Sequence, residues 1–87
     1  MKIKDGYMLR NVAGKYIVVP VGEETMDFNG IITTNETGAF LWISLENEIS
    51  QADLLKAFLN EYEIDEQIAA EDLSDFIKKL SDADLLT

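Results

Sequence analysis

The chain has 87 residues and a net charge of −10. This length is typical of one small domain and predicts a single domain over residues 1–87. It contains no cysteine and no histidine, which excludes disulfides, thiolate nucleophiles and the commonest general base and transition-metal ligand. Residues 1–22 carry a net +3 and residues 23–87 a net −13, a distribution that argues against nucleic-acid binding.

The first part of the chain predicts three strands joined by short turns. They are Tyr7–Val12, residues 15–21 and residues 26–34. Ala13 and Gly14 form a two-residue turn of the kind that closes a hairpin. Pro20 cannot donate to a strand ladder, so it places its end of the second strand at an edge or a bulge. Asn29 and Gly30 indicate a bend within the third strand. The pattern predicts an antiparallel meander.

The third strand is expected to turn directly into the first helix. Asn35 has the short polar side chain that caps free N–H groups of a first helical turn. Glu36 adds a negative charge where the helix dipole favours it. Gly38 lowers helix propensity, and we interpret it as a point where the strand end and the helix start approach closely. The apolar run from Ala39 to Leu45 has the length of a buried helix.

Two amphipathic helices follow. Ser50 begins the second helix, and Asp65 caps the third. The apolar stripe of the second helix comprises Leu54, Leu55, Phe58, Leu59 and Tyr62. The apolar stripe of the third helix comprises Ile68, Ala69, Leu73, Phe76, Ile77 and Leu80. Leu85 and Leu86 are expected to fold back onto the core. Together the elements predict an α+β fold, a three-stranded antiparallel meander followed by three helices, in a winged helix-turn-helix-like layout.

One run of residues resembles a known family. The sequence from Asn35 to Trp42, Asn-Glu-Thr-Gly-Ala-Phe-Leu-Trp, is similar to the Leu-Asn-x-Thr-Gly-x-x-(Ile/Leu)-Trp signature of the PqqD family, named for pyrroloquinoline quinone biosynthesis protein D. The similarity extends over most of the chain, although only this run is specific. Thr34 stands where the family usually has Leu, and Asp84 where it has Gly.

The resemblance implies a peptide-recognition role. Members of this family and related recognition domains bind the leader segment of a ribosomally made precursor peptide and present it to a modifying enzyme, often a radical S-adenosylmethionine (radical SAM) enzyme. The leader adds as a strand to the open edge of the third strand and lies against the third helix. The resemblance therefore implies a non-catalytic peptide-binding adaptor with no cofactor of its own.

The residues themselves permit this mode of binding. Residues 30–34 contain no proline or charge that would block pairing at an exposed edge. Two other segments could instead cover this edge: a terminal segment of the chain, or the same edge of a second copy in a homodimer. The predicted peptide-binding residues are Asn29, Gly30, Ile31, Ile32, Thr33, Thr34, Asp72, Asp75, Phe76 and Lys79.

Other functions fit the residues less well. A DNA-binding winged helix would present the acidic third helix to phosphates. An acidic carrier protein needs a serine at a helix start, whereas Ser74 follows Asp72 and Leu73 in mid-helix. An enzyme is disfavoured because no glycine-rich phosphate loop, activated nucleophile or metal-ligand spacing is present. Since no signal peptide or membrane-length apolar run is seen, we expect a cytoplasmic protein without membrane contacts.

Overall fold

The first two strands form a tight hairpin in the computed structural model, which describes residues 1–21 and 32–87. β1 is Tyr7–Val12 and β2 is Lys15–Pro20, paired antiparallel. Ala13 and Gly14 have φ values of 52° and 80°. Positive φ at both central residues defines a type I′ turn, whose twist matches that of the flanking strands. Pro20 is the last residue of β2, which is one residue shorter than predicted.

β3 completes a meander in the order β1-β2-β3. It spans Ile32–Thr34 and pairs antiparallel with the central strand β2. The remainder of the predicted third strand, residues 26–31 with the Asn29–Gly30 bend, lies outside the described residues. The α+β class and the order of three antiparallel strands before three helices are confirmed.

Each helix begins directly after the predicted capping residue. α1 is Glu36–Ser44, α2 is Gln51–Glu61 and α3 is Glu66–Asp82. The Asn35 side chain accepts from the Gly38 N–H at 2.9 Å, and the Ser50 side chain accepts from the Asp53 N–H at 3.1 Å. Asp65 accepts from two backbone N–H groups of the first turn of α3. These bonds satisfy donors that have no partner within the helix.

The core lies between the inner face of the sheet and the three helices. Its largest fully buried side chains are Trp42, Phe58, Leu45, Leu54, Leu73, Leu80, Leu85 and Val18. Ile68, which the sequence places in the apolar stripe of the third helix, does not belong to this core, since the residue is 53% exposed. Ala69, Leu73 and Leu80 are the buried positions of α3, and Ile68 lies about 100° around the helix from Ala69.

The two ends of the described chain pair with each other. Leu85 is fully buried and Leu86 bridges to Ile3, which confirms that the final leucines return to the core. Asp84 has a φ of 59° and its carboxylate lies 2.8 Å from the Lys4 ammonium. This left-handed conformation explains why glycine suits the position in the PqqD pattern and why Asp, which tolerates it better than most residues, can replace glycine.

The terminal segments therefore meet at the Ile3–Leu86 bridge and not at β3. Among the described residues, no helix is both long enough and apolar enough to cross a membrane.

Candidate functional site

The end of β3 and the start of α1 are in direct contact. A Cβ placed on Gly38 would overlap Thr34 Oγ1 and lie 3.0 Å from Thr34 Cβ. Asn35, between them, accepts from the Gly38 N–H and from the Thr37 hydroxyl, both at 2.9 Å. The close approach predicted at Gly38 is confirmed, and it fixes the strand end against the helix.

The backbone of β2 points alternately toward β1 and toward β3. Val21, just after β2, donates its N–H to the Gly6 carbonyl at 2.8 Å, on the β1 side. The backbone N–H and C=O groups of successive residues in an antiparallel strand point to opposite sides. Those of the odd-numbered residues of β2 therefore point toward β1. The even-numbered residues, including Tyr16 and Val18, point toward β3.

This alternation determines which residue of β3 is open at the edge. Thr34 lies opposite Tyr16 and Ile32 lies opposite Val18, so both are in hydrogen-bonding register with β2. Thr33 lies between them and directs its N–H and C=O away from the sheet. Within the described part of β3, Thr33 is therefore the residue that offers backbone groups to an added strand.

Helix α3 flanks this edge. The Lys79 ammonium donates to the Thr33 carbonyl at 3.2 Å. The neighbouring Lys78 points elsewhere and pairs with Asp82 at 2.9 Å, a hydrogen bond that raises the pKa of Lys78. Lys79 thus contacts the strand edge, whereas the preceding residue, Lys78, stays on the helix surface.

A groove of about 300 Å³ lies between the β3–α1 junction and α3. Its lining residues are Thr34, Asn35, Thr37, Gly38, Leu41, Phe58, Asp72, Asp75, Phe76 and Lys79. Leu41 and Phe58 are buried and form an apolar floor, while Phe76 is half-buried at the wall. Such a groove suits an apolar side chain carried by an extended backbone.

The charged rim of the groove comes from α3. Asp72 and Asp75 are exposed, and within the described part of the chain neither carboxylate has an ion pair or hydrogen bond. The described residues contain no group of side chains that could hold a metal ion. The arrangement therefore offers hydrogen bonds, apolar contact and charge to a ligand.

An aromatic cluster supports the floor from behind. Phe58 stacks on Phe40 with ring centroids 6.4 Å apart, and Tyr62 meets both rings edge-on at 5.6 Å. Burial raises the pKa of Tyr62, and the charges of Glu36 and Glu61 raise it further. The floor is therefore held by rings that constrain one another.

The structure brings most of the predicted peptide-binding residues together. Thr34, Asp72, Asp75, Phe76 and Lys79 line the groove. Thr33 lies at the open edge and Ile32 packs against the core. The other three predicted residues, Asn29, Gly30 and Ile31, lie outside the described residues. For all ten residues, the role in binding a peptide stays a prediction.

Sequence reasoning missed half of the groove lining. The sequence indicates only structural roles for Asn35 and Gly38 and no separate role for Thr37, although all three lie in the signature that carries the family resemblance. Leu41 and Phe58 look like ordinary core positions on their helices. Their contact with the groove depends on how three elements meet, which helical periodicity does not reveal.

A meander, three helices and a groove beside an open strand edge define a small winged-helix-like α+β domain. The family model described as "Coenzyme PQQ synthesis protein D (PqqD)" matches residues 12–86. The chain belongs to this family, which confirms the resemblance found in the sequence.

Two solved structures share the fold. TbiB1, in complex with the TbiA(beta) leader peptide, superposes with a TM-score of 0.74 and 22% sequence identity, covering 99% of this chain and 94% of that one. Lasso peptide synthetase B1, complexed with the leader peptide, superposes with a TM-score of 0.69 and 17% identity, covering 93% of this chain and 89% of that one. A search of curated proteins found no match to the sequence.

Proposed function

We propose that this protein is a non-catalytic adaptor that binds the leader segment of a ribosomally made precursor peptide and presents it to a modifying enzyme. Membership of the PqqD family supports the proposal. Both solved structures that share the fold hold a leader peptide. The observation that carries the proposal is Thr33, whose N–H and C=O point outward beside a groove with an apolar floor.

Strand addition divides recognition between backbone and side chains. Pairing with Thr33 supplies hydrogen bonds that are independent of the peptide sequence. The floor of Leu41 and Phe58, with Phe76 at the wall, accepts an apolar leader side chain. Asp72 at the rim favours leaders that carry a basic residue near that side chain, since opposite charges steer encounter and fix register.

The chemistry then belongs to the partner enzyme. We expect a radical SAM enzyme or another maturation enzyme, which would hold any cluster or cofactor, and we expect the complex to form in the cytoplasm without nucleic acid or membrane. A homodimer through the third-strand edge stays a prediction as well. Because a second copy and the leader would need the same backbone groups of Thr33, leader binding should dissociate such a dimer.

The carrier alternative is not favoured by the fold. Ser74 lies within α3, far from the capping residue Asp65, and is therefore not placed at a helix start. Three strands precede the helices, which an all-helical carrier lacks. If the protein were a carrier, mass measurement after co-expression with a phosphopantetheine transferase would reveal an added phosphopantetheine arm.

A proline at Thr33 tests strand addition directly. Thr33→Pro removes an N–H that points away from β2. The backbone N–H groups that pair β3 with β2 are retained. We expect leader affinity, measured by calorimetry with the leader peptide encoded beside this protein, to fall by about tenfold or more. Thr33→Ala retains the N–H and is the matched control, with affinity close to wild type.

Two further readouts complete the test. Amide shifts of isotopically labelled wild-type protein should concentrate at Thr33, Thr34 and the groove face of α3. Urea unfolding followed by Trp42 fluorescence verifies that the Thr33→Pro variant is folded. Equal leader affinity for the Thr33→Pro and Thr33→Ala variants, or shifts confined to β1, would refute the proposed binding mode.

A further inference from the structure

Lys79 makes an unexpected choice of partner. It lies one helical turn after Asp75, a spacing at which acidic and basic side chains commonly pair. Lys78 follows that rule and pairs with Asp82, four residues away, at 2.9 Å. Lys79 instead leaves Asp75 without an ion pair within the described chain and donates to the Thr33 carbonyl at 3.2 Å.

That carbonyl is the acceptor an incoming strand needs. Thr33 is the described residue of β3 whose backbone groups face outward, so an added strand would donate an N–H to the same oxygen that Lys79 now occupies. Charged side chains at sheet edges, lysine above all, are a common device against unwanted strand pairing. Within the described part of β3, the edge is therefore not paired with another strand, and the Lys79 side chain covers the Thr33 carbonyl oxygen.

We propose that Lys79 is a displaceable cap of the β3 edge and a specificity-determining residue of the groove, whose ammonium passes from the Thr33 carbonyl to the Asp75 carboxylate when a strand adds. The inference rests on the proposed leader-binding function. A peptide that pairs well and fills the groove displaces the cap. A weakly paired strand does not.

Asp75 is the acceptor that the helix provides for the displaced ammonium. Asp75 and Lys79 both line the groove. Both also line a neighbouring surface cleft, which Lys78, Asp82 and Ala83 complete. Asp82 is already held by Lys78. Asp72 is seven residues before Lys79, about 10.5 Å along the helix axis, whereas Asp75 is about 6 Å away. The transfer therefore requires only a change of side-chain rotamer.

Removal of the ammonium should strengthen leader binding. Lys79→Met keeps an unbranched chain of similar length but cannot donate, so the incoming strand no longer competes for the carbonyl. We expect the leader peptide to bind about threefold to tenfold more tightly to this variant, as measured by calorimetry. Lys78→Met removes the same charge from the neighbouring position and should stay within about twofold of wild type. Lys79→Arg keeps a donor and should restore the wild-type affinity.

Asp75→Asn tests the transfer itself. Alone it should weaken leader binding by about twofold to threefold, because the displaced ammonium loses its acceptor. In the Lys79→Met background it should have no effect, since no ammonium needs to move. An equal loss in both backgrounds would show that Asp75 contacts the leader directly and would overturn the transfer.

The outcomes separate the two proposals. If wild-type protein does not bind the leader, the proposed function fails and the cap fails with it. If wild type binds but Lys79→Met binds no more tightly than Lys78→Met, only the cap is refuted. Urea unfolding of each variant verifies that it is folded under the binding conditions.

Discussion

Gly38→Ala tests the contact on which the position of β3 depends. A Cβ at this position would overlap Thr34 Oγ1 and would lie 3.0 Å from Thr34 Cβ, which is tighter than nine in ten real contacts of a Cβ atom. Thr34 cannot easily withdraw, because its backbone is paired with Tyr16 and the next residue, Asn35, is fixed as the cap of α1. The added methyl group must therefore displace the strand from the helix.

Two opposing effects set the size of the loss. Alanine improves helix propensity over glycine by about 1 kcal/mol. Overpacking costs about 1–3 kcal/mol, and the upper end applies where a β-branched neighbour is held on both sides. We expect the free energy of unfolding to fall by about 2 kcal/mol, which corresponds to roughly 8–16 °C in Tm for a chain of this length.

Urea unfolding followed by fluorescence measures this change, because Trp42 is the single tryptophan and is 1% exposed. Thr34→Ala removes Oγ1 and Cγ2 but leaves Cβ, so in the Gly38→Ala background it should recover about 1 kcal/mol, whereas in the wild-type background it should not stabilise. A Gly38→Ala variant as stable as wild type would refute the reasoning that strand end and helix start are in forced contact.

Three other outcomes follow from the caps, the core and the charges. Asn35→Ala should lower the free energy of unfolding by about 1 kcal/mol in urea, while Asn35→Asp, which keeps the capping oxygen, should lose much less. Leu85→Ala removes a fully buried side chain and should cost about 2–5 kcal/mol, yet leave leader affinity unchanged while the protein is folded. The hydrogen bond from the N-terminal ammonium of Met1 lowers the pKa of Glu48. This pair therefore stabilises the fold above the ordinary glutamate pKa, and the contribution is lost as pH falls through the lowered value. An NMR titration of the Glu48 carboxyl checks this, and acetylation of the N-terminus should return its pKa toward the ordinary range.

Much of the fold could be predicted because its signals are local. The Asn35, Ser50 and Asp65 caps each act within three residues, and the hairpin turn is specified by two. Ile68 was misplaced for the same reason. A stripe of apolar residues indicates a face of the helix but not its limits, and in α3 the buried face centres on Ala69 and Leu73.

The groove was only partly predictable because it depends on contacts between distant residues. The hydrogen bond from Lys79 to Thr33 joins residues 46 positions apart, and no spacing in the sequence indicates it. The sequence did suggest that α3 would flank the third strand, but only through the family resemblance. The helical spacing of Asp75 and Lys79 even favours the wrong pairing, since it matches the pair that Lys78 makes with Asp82.

The identity of the open residue at the edge follows from two separate constraints. The type I′ turn at Ala13–Gly14 determines which residues of β2 point toward β3. The contact between Thr34 and Gly38 then holds β3 in its register along β2. A shift of one residue would turn Thr33 inward and present its neighbours at the edge, out of reach of the Lys79 cap. Gly38→Ala should therefore weaken leader binding as well as stability, because the displaced strand no longer places the Thr33 carbonyl beside the groove.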